Sequence, residues 1–93
     1  MTHNDRAIDM RNRALELVKA RGTPTDDMTR EYTNVGLTIH HINMGNTHRL
    51  TVSTKSGTVL NVGWELGGSL RVATYVPGLW ETRLKHVTQR RKP

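Results

Sequence analysis

Residues 35–76 alternate apolar and polar side chains and are interrupted by short glycine-containing segments. A period of two is typical of antiparallel strands that bury one face and leave the other in water. A one-residue slip in pairing would turn every apolar side chain to the wrong face, so this stretch constrains the fold strongly. We predict four strands whose inner face carries Val35, Leu37, Ile39, Leu50, Val52, Leu60, Val62, Trp64, Leu66, Leu70, Val72 and Val76.

The lengths of the connecting loops predict how these strands pair. The segment Lys55–Gly57 is a three-residue loop that pairs Val52 with Leu60 and supplies glycine where a left-handed residue is needed. The same reasoning makes residues 67–69 a three-residue loop and residues 44–47 a four-residue loop. We therefore expect the strands to form a meander in chain order.

An amphipathic helix is predicted before the strands. It begins near Asp5, carries its apolar side chains from Ala7 to Val18 within about half of its circumference, and ends at Gly22. Residues 23–34 are polar, and we interpret them as a connector. The predicted fold is α+β, with an N-terminal amphipathic helix packed on one face of a four- to five-stranded antiparallel meander.

Two structures are compatible with residues 79–88. Trp80, Leu84 and Val87 have the spacing of a helix, whereas the alternation of charged and uncharged side chains favours a strand. Threonine and valine in this segment are strand formers, so we expect a fifth strand.

Positive charge accumulates toward the C-terminus. Residues 1–31 carry six basic and six acidic side chains, whereas residues 77–93 carry five basic and one acidic. Residues 1–88 are predicted to form one domain, and residues 89–93 a flexible basic tail, because the tail has nothing apolar to bury. Such an excess favours nucleic acid or the acidic surface of a nucleoprotein complex, although a tail of this kind can also serve solubility alone.

The absence of cysteine excludes disulfides, thiolate metal sites and thiol nucleophiles. No apolar run has the length of a membrane span, and the first residues lack the pattern of a signal peptide. We therefore expect a cytoplasmic protein without membrane contact.

The predicted register leaves polar side chains on the second, open face of the sheet, where His40, Thr51, Asn61 and Tyr75 lie opposite one another in one row across the four strands. The small residues Gly63 and Ala73 should make its centre shallow, and Glu65 should oppose Arg71 as an ion pair. An exposed tyrosine can stack on a base, and arginine can bind phosphate. We expect the open face and the C-terminal segment to bind a partner through His40, Arg49, Thr51, Asn61, Arg71, Tyr75, Trp80, Arg83, Lys85, Arg90, Arg91 and Lys92.

Three histidines lie close together in sequence. His41 and His48 should share one face with Asn43 near the end of the sheet, while His40 points to the other face. Two histidines without a third ligand do not complete a zinc site. We predict neither a metal nor another cofactor.

These features favour a small non-enzymatic basic binding protein. It would engage nucleic acid or a nucleic-acid-processing protein complex and act by occupancy, as an inhibitor or adaptor. One alternative is a protein–protein interaction module without nucleic-acid contact, either a homodimer or a protein that pairs through an edge strand.

A second alternative is a metal-independent ribonuclease. His40 or Tyr75 would transfer protons, and Arg49, Arg71 and Lys85 would stabilise the negative charge that develops on phosphorus. The predicted architecture resembles that of small toxin ribonucleases, which combine a helix, a meander and a basic C-terminal end. That resemblance includes no shared motif.

Overall fold

Six antiparallel strands, paired in chain order, form the sheet of the described residues, and two helices pack on its inner face. The structure, a computed structural model, describes residues 3–25 and 28–89. The predicted α+β class is confirmed, with six strands in place of four to five. The elements are α1 (His3–Arg21), β1 (Thr23–Pro24), β2 (Thr29–Asn34), β3 (Leu37–Met44), β4 (Thr47–Thr54), β5 (Gly57–Glu65), β6 (Arg71–Tyr75) and α2 (Leu79–Gln89).

Helix α1 crosses the inner face and contacts β2, β3, β4 and β6. Its buried side consists of Ala7, Met10, Ala14, Leu17 and Val18, which follow the spacing of one helical face. The helix ends where the Gly22 backbone N–H donates to the Val18 carbonyl at 2.8 Å. This close approach depends on glycine, because a Cβ at Gly22 would stand 2.6 Å from that carbonyl oxygen.

The predicted pairing of the central strands is confirmed, but both loops are shorter than predicted. Gly45–Asn46 and Lys55–Ser56 are two-residue turns, because Met44 pairs with Thr47 and Thr54 pairs with Gly57. A bulge at Val59 then restores the predicted pairing of Val52 with Leu60. Ile39 lies opposite Val52, and Val52 lies opposite Leu60, so three fully buried aliphatic side chains form one inner row. Tyr32 of β2 and Tyr75 of β6 extend this row on its two sides. The core is therefore a continuous layer between the sheet and the helices.

The segment predicted to be a polar connector contributes β1 and β2 to the sheet. In β2 only Tyr32 is buried, so the segment lacks the apolar alternation that would have indicated a strand. Val35 was predicted to begin an inner strand, and this prediction is wrong. Val35 and Gly36 form a two-residue turn between β2 and β3, with φ angles of 48° and 78°.

The loop between β5 and β6 is longer than predicted. Strand β5 ends at Glu65 and β6 begins at Arg71, so the loop is not the three residues 67–69. Leu66 and Leu70, predicted to pair on the inner face, lie in this loop instead, and Leu66 is exposed.

A bulge in β6, where Ala73 has no partner in β5, changes the register of this strand. Val62 pairs with Val72, but between Asn61 and Val62 the pairing shifts, and Leu60 lies opposite Tyr75. The predicted register had placed Asn61 opposite Tyr75. A shift of one residue moves a side chain to the other face of the sheet, so Tyr75 belongs to the inner face.

The predicted fifth strand is wrong, because residues Leu79–Gln89 form helix α2. Trp80, Leu84 and Val87 recur at intervals of four and three residues and are buried in the core shared with α1. Helix α2 therefore lies on the same side of the sheet as α1. Gln89, predicted to begin a flexible tail, is its last residue, and residues 90–93 lie outside the described part of the chain.

Glu81 holds the beginning of α2 in place. Its Oε1 atom accepts hydrogen bonds from the Gly78 backbone N–H at 3.2 Å and from Arg6 Nη2 at 2.8 Å. Its Oε2 atom accepts a hydrogen bond from the Tyr75 hydroxyl. One carboxylate thus connects α1, the end of β6 and the N-terminus of α2.

Candidate functional site

One row of polar side chains crosses the open face in register. His40 lies opposite Thr51, and Thr51 lies opposite Asn61, as the sequence predicts. The place predicted for Tyr75 is taken by Thr74, which pairs with Asn61. The row therefore offers imidazole, hydroxyl and amide groups but no tyrosine or tryptophan side chain.

A hollow lies beside this row, over Gly63. Gly63 pairs with Arg49 on one side and with Arg71 on the other, so two arginines flank a residue without a side chain. The hollow has a volume of about 380 Å³. The hollow lies toward one end of the strands and is also lined by Met44, Thr47, His48, Trp64, Glu65, Val72 and Ala73.

Within the described structure, the two arginines beside the hollow are not neutralised by a neighbouring carboxylate. Arg49 Nη1 donates a hydrogen bond to Asn61 Oδ1 at 2.8 Å. Neither Arg49 nor Arg71 forms an ion pair with a carboxylate of residues 3–25 and 28–89. The predicted opposition of Glu65 and Arg71 is wrong, because Arg71 lies opposite Gly63. The hollow therefore combines two positive side chains with the single negative charge of Glu65.

Tyr75 and Trp80, two of the predicted binding residues, belong to the interior instead. The Tyr75 ring meets the Trp80 ring edge-on, with centroids 6.2 Å apart, and its hydroxyl is bound to Glu81. Burial, together with this hydrogen bond to a carboxylate, raises the pKa of Tyr75 to about 12. Trp80 Nε1 donates to the Val76 carbonyl at 2.6 Å. Neither ring is free to stack on a base.

The basic residues of the C-terminal segment are separated from the open face. Arg83 and Lys85 are exposed on α2, which packs on the inner side of the sheet. Arg90, Arg91 and Lys92 lie outside the described residues. The described structure therefore presents two distinct basic surfaces where the sequence predicts one combined interface.

The side chains proposed for RNA cleavage are divided between the two sides of the sheet. His40, Arg49 and Arg71 lie on the open face, whereas Tyr75 and Lys85 lie on the helix side. General acid–base catalysis requires groups within hydrogen-bonding reach of one substrate. In addition, the Nε2 atom of His40 is shielded from water and has no partner in the described structure. The predicted catalytic set is not assembled.

An aromatic stack lies on the inner face, at the end of the sheet. His41 Nε2 lies 3.2 Å from His48 Nδ1, so the predicted same-face placement of these histidines is confirmed. The His48 and Trp64 rings are parallel, with centroids 5.1 Å apart, and the Arg11 guanidinium lies 4.6 Å from the centre of the Trp64 ring. Arg11 lies within the apolar arc of α1 in sequence, and the helical periodicity does not reveal its aromatic partner.

Burial determines the charge of this stack. His41 is buried, and the loss of solvation, followed by the electrostatic effect of the adjacent His48 ring, lowers the pKa of His41 to about 4. His41 is therefore neutral near pH 7. Among the described residues, no group of three or more metal-binding side chains is placed to hold an ion.

Comparison with known proteins finds no family model, no curated protein and no solved structure that significantly matches this chain. Neither helix of the described residues has the length and apolar character needed to span a bilayer. The functional interpretation therefore depends on the geometry and charge of the surfaces themselves.

Proposed function

We propose that the protein is a non-enzymatic basic binding protein whose open face contacts the phosphate backbone of nucleic acid. The observation that carries this proposal is the row Arg49–Gly63–Arg71. The Cα atoms of the two arginines are two strand spacings apart, about 10 Å, with the hollow between them. Guanidinium groups bind phosphate through paired hydrogen bonds, and a neighbour without a side chain leaves room for a backbone to approach.

The polar row beside the hollow supports the same ligand. Thr51 and Asn61 present hydroxyl and amide groups next to Arg49, and such groups commonly contact phosphate and sugar oxygens. All four aromatic side chains, Tyr32, Trp64, Tyr75 and Trp80, belong to the core or pack against it. Binding should therefore depend on charge, with weak sequence preference and strong dependence on salt. The protein would act by occupancy, as an inhibitor or adaptor of a nucleic-acid-processing complex.

Fluorescence anisotropy with labelled single-stranded DNA, duplex DNA and RNA tests this proposal. For the double variant Arg49→Ala/Arg71→Ala, loss of two phosphate contacts should reduce the slope of log affinity against log salt by about 1.4 on a single strand. Between 50 and 200 mM salt, the wild-type affinity should then fall about sevenfold more than that of the variant.

The double variant Arg83→Ala/Lys85→Ala is the matched control. It removes the same net charge from α2, on the other side of the sheet, and should leave the salt slope nearly unchanged. Equal effects of the two double variants, or no salt-dependent binding by the wild type, would contradict the proposal.

A third variant tests the hollow without changing charge. A Cβ at Gly63 would lie no closer than 3.5 Å to its neighbours, so Gly63→Val fits the strand while filling the space between the arginines. We expect weaker binding with the folded structure retained, measured by anisotropy and circular dichroism. Unchanged affinity in this variant would show that the hollow takes no part in binding.

A further inference from the structure

A second concave surface lies at the opposite end of the strands from the hollow. The turns Val35–Gly36 and Lys55–Ser56 meet there with the segment Val76–Gly78 and the first turn of α2. They enclose a groove of about 640 Å³, whose walls include the buried side chains Val59 and Trp80. We call it the turn groove.

Three exposed apolar side chains surround the turn groove. Val35 is 39% exposed, Val76 51% and Leu79 67%. Single exposed apolar residues are common on protein surfaces, whereas several that border one groove are typical of an interaction site. Val76 was predicted to face inward, and the changed register of β6 leaves it at this surface.

The backbone of Val35 provides a second, independent indication. Its φ of 48° lies in the left-handed region, which β-branched residues adopt only at an energetic cost. Two-residue turns of this hand strongly prefer asparagine or aspartate before glycine. An exposed valine at this position therefore disfavours folding, and residues held in such conformations cluster at ligand-binding sites.

The charges at the turn groove indicate the character of its ligand. Lys55 and Arg83 both border the groove, and no aspartate or glutamate of the described residues lines it. Neither cation forms an ion pair within the described structure. Arg83 Nη1 lies beside the Val35–Gly36 turn, at 3.6 Å from the position a Cβ of Gly36 would take. An occupant that complements this surface is both apolar and acidic.

We propose that the turn groove binds a short extended peptide of a partner protein, in which apolar side chains alternate with aspartate or glutamate. The apolar side chains would pack against Val35, Val76 and Leu79, and the carboxylates would pair with Lys55 and Arg83. This site is separate from the open face and does not depend on nucleic-acid binding there.

Selection from a phage-displayed library of random twelve-residue peptides on the immobilised full chain tests the proposal. We expect enriched peptides to be apolar and acidic. Synthetic copies of them should bind Leu79→Ser and Lys55→Glu/Arg83→Glu at least about tenfold more weakly than wild type. Leu66→Ser is the matched control, because Leu66 is also 67% exposed but lies outside the groove, and it should bind like wild type.

Val35→Asn separates binding from folding. Asparagine adopts the left-handed conformation at a lower energetic cost than valine, so the substitution should raise the Tm by about 4–8 °C. Loss of the apolar side chain should at the same time weaken binding of the selected peptides. Failure to enrich peptides, or equal binding by wild type and the groove variants, would overturn the proposal. So would a concentration-dependent dimer that Leu79→Ser abolishes, because the occupant would then be a second copy of the chain.

Discussion

Replacement of Glu81 should destabilise the fold far more than replacement of an exposed acid. Glu81 is only 7% exposed and accepts hydrogen bonds from Arg6, Tyr75 and the Gly78 backbone. Glu81→Ala removes the carboxylate that accepts the hydrogen bond of the Tyr75 hydroxyl, and loss of this buried bond costs about 1–3 kcal/mol. It also removes the contact at the start of α2, which contributes roughly 1 kcal/mol.

The ion pair with Arg6 adds little to this loss. The Arg6 side chain is 45% exposed and regains water when its partner is removed, so its share is below about 1 kcal/mol. Together these contributions predict that Glu81→Ala lowers the free energy of unfolding by roughly 2–4 kcal/mol. Glu81→Gln retains oxygen and nitrogen atoms for the same neighbours and should lose only about 1 kcal/mol.

Urea denaturation followed by circular dichroism measures these differences. Glu65→Ala serves as the control, because Glu65 is exposed and has no ion pair in the described structure, and it should change stability by less than about 0.5 kcal/mol. A double-mutant cycle with Tyr75→Phe isolates the coupling between the hydroxyl and the carboxylate. If Glu81→Ala and Glu65→Ala had equal effects, Glu81 would not connect the helices to β6 as described.

Two further predictions concern the inner face and the end of α1. The pKa of His41 is lowered to about 4 in the folded protein, so below pH 6.5 the unfolded chain binds more protons than the folded chain does. The free energy of unfolding should therefore fall as the pH is lowered. The loss attributable to His41 between pH 7.5 and pH 5 is on the order of 2 kcal/mol. Urea titrations of wild type and His41→Leu should diverge over this range, and parallel pH profiles would contradict the assignment. Gly22→Ala places a Cβ 2.6 Å from the Val18 carbonyl oxygen and should cost about 1–3 kcal/mol, measured by thermal unfolding, whereas unchanged stability would show that this helix end relaxes freely.

The pairing of β3, β4 and β5 could be predicted from sequence through two signals, the apolar alternation and the length of the glycine turns. Both signals place Ile39 opposite Val52. For Val52 and Leu60 only the alternation is right, because the turn is one residue shorter than predicted and a bulge at Val59 makes up the difference. Where both signals are present, the assignment of His40, Thr51 and Asn61 to the open face is also correct.

The register of β6 could not be predicted in the same way. The bulge falls at Ala73, which lies between the partners of Asn61 and Val62 and whose small side chain leaves no trace in the apolar pattern. A bulge inserts one residue without changing composition, and one residue is enough to reverse a face. Tyr75 was therefore assigned to the wrong surface, and with it the predicted base-stacking group.

Other differences reflect tertiary context. Strand β2 is polar along most of its length and is recognisable mainly by its pairing with β3. The segment that forms α2 satisfies both helical and strand patterns, and burial of Trp80, Leu84 and Val87 against α1 decides between them. The turn groove depends on three separate chain segments and on the backbone of Val35, which no local pattern reveals.

The proposed nucleic-acid contact on the open face is tested most directly by NMR. Titration of ¹⁵N-labelled protein with a single-stranded oligonucleotide at low salt should shift the backbone amides of Arg49, Asn61, Gly63 and Arg71, and added salt should reverse these shifts. Amides near Arg83 and Lys85 should move little. Shifts confined to α2, or no salt-reversible shifts on β4, β5 and β6, would contradict the proposal.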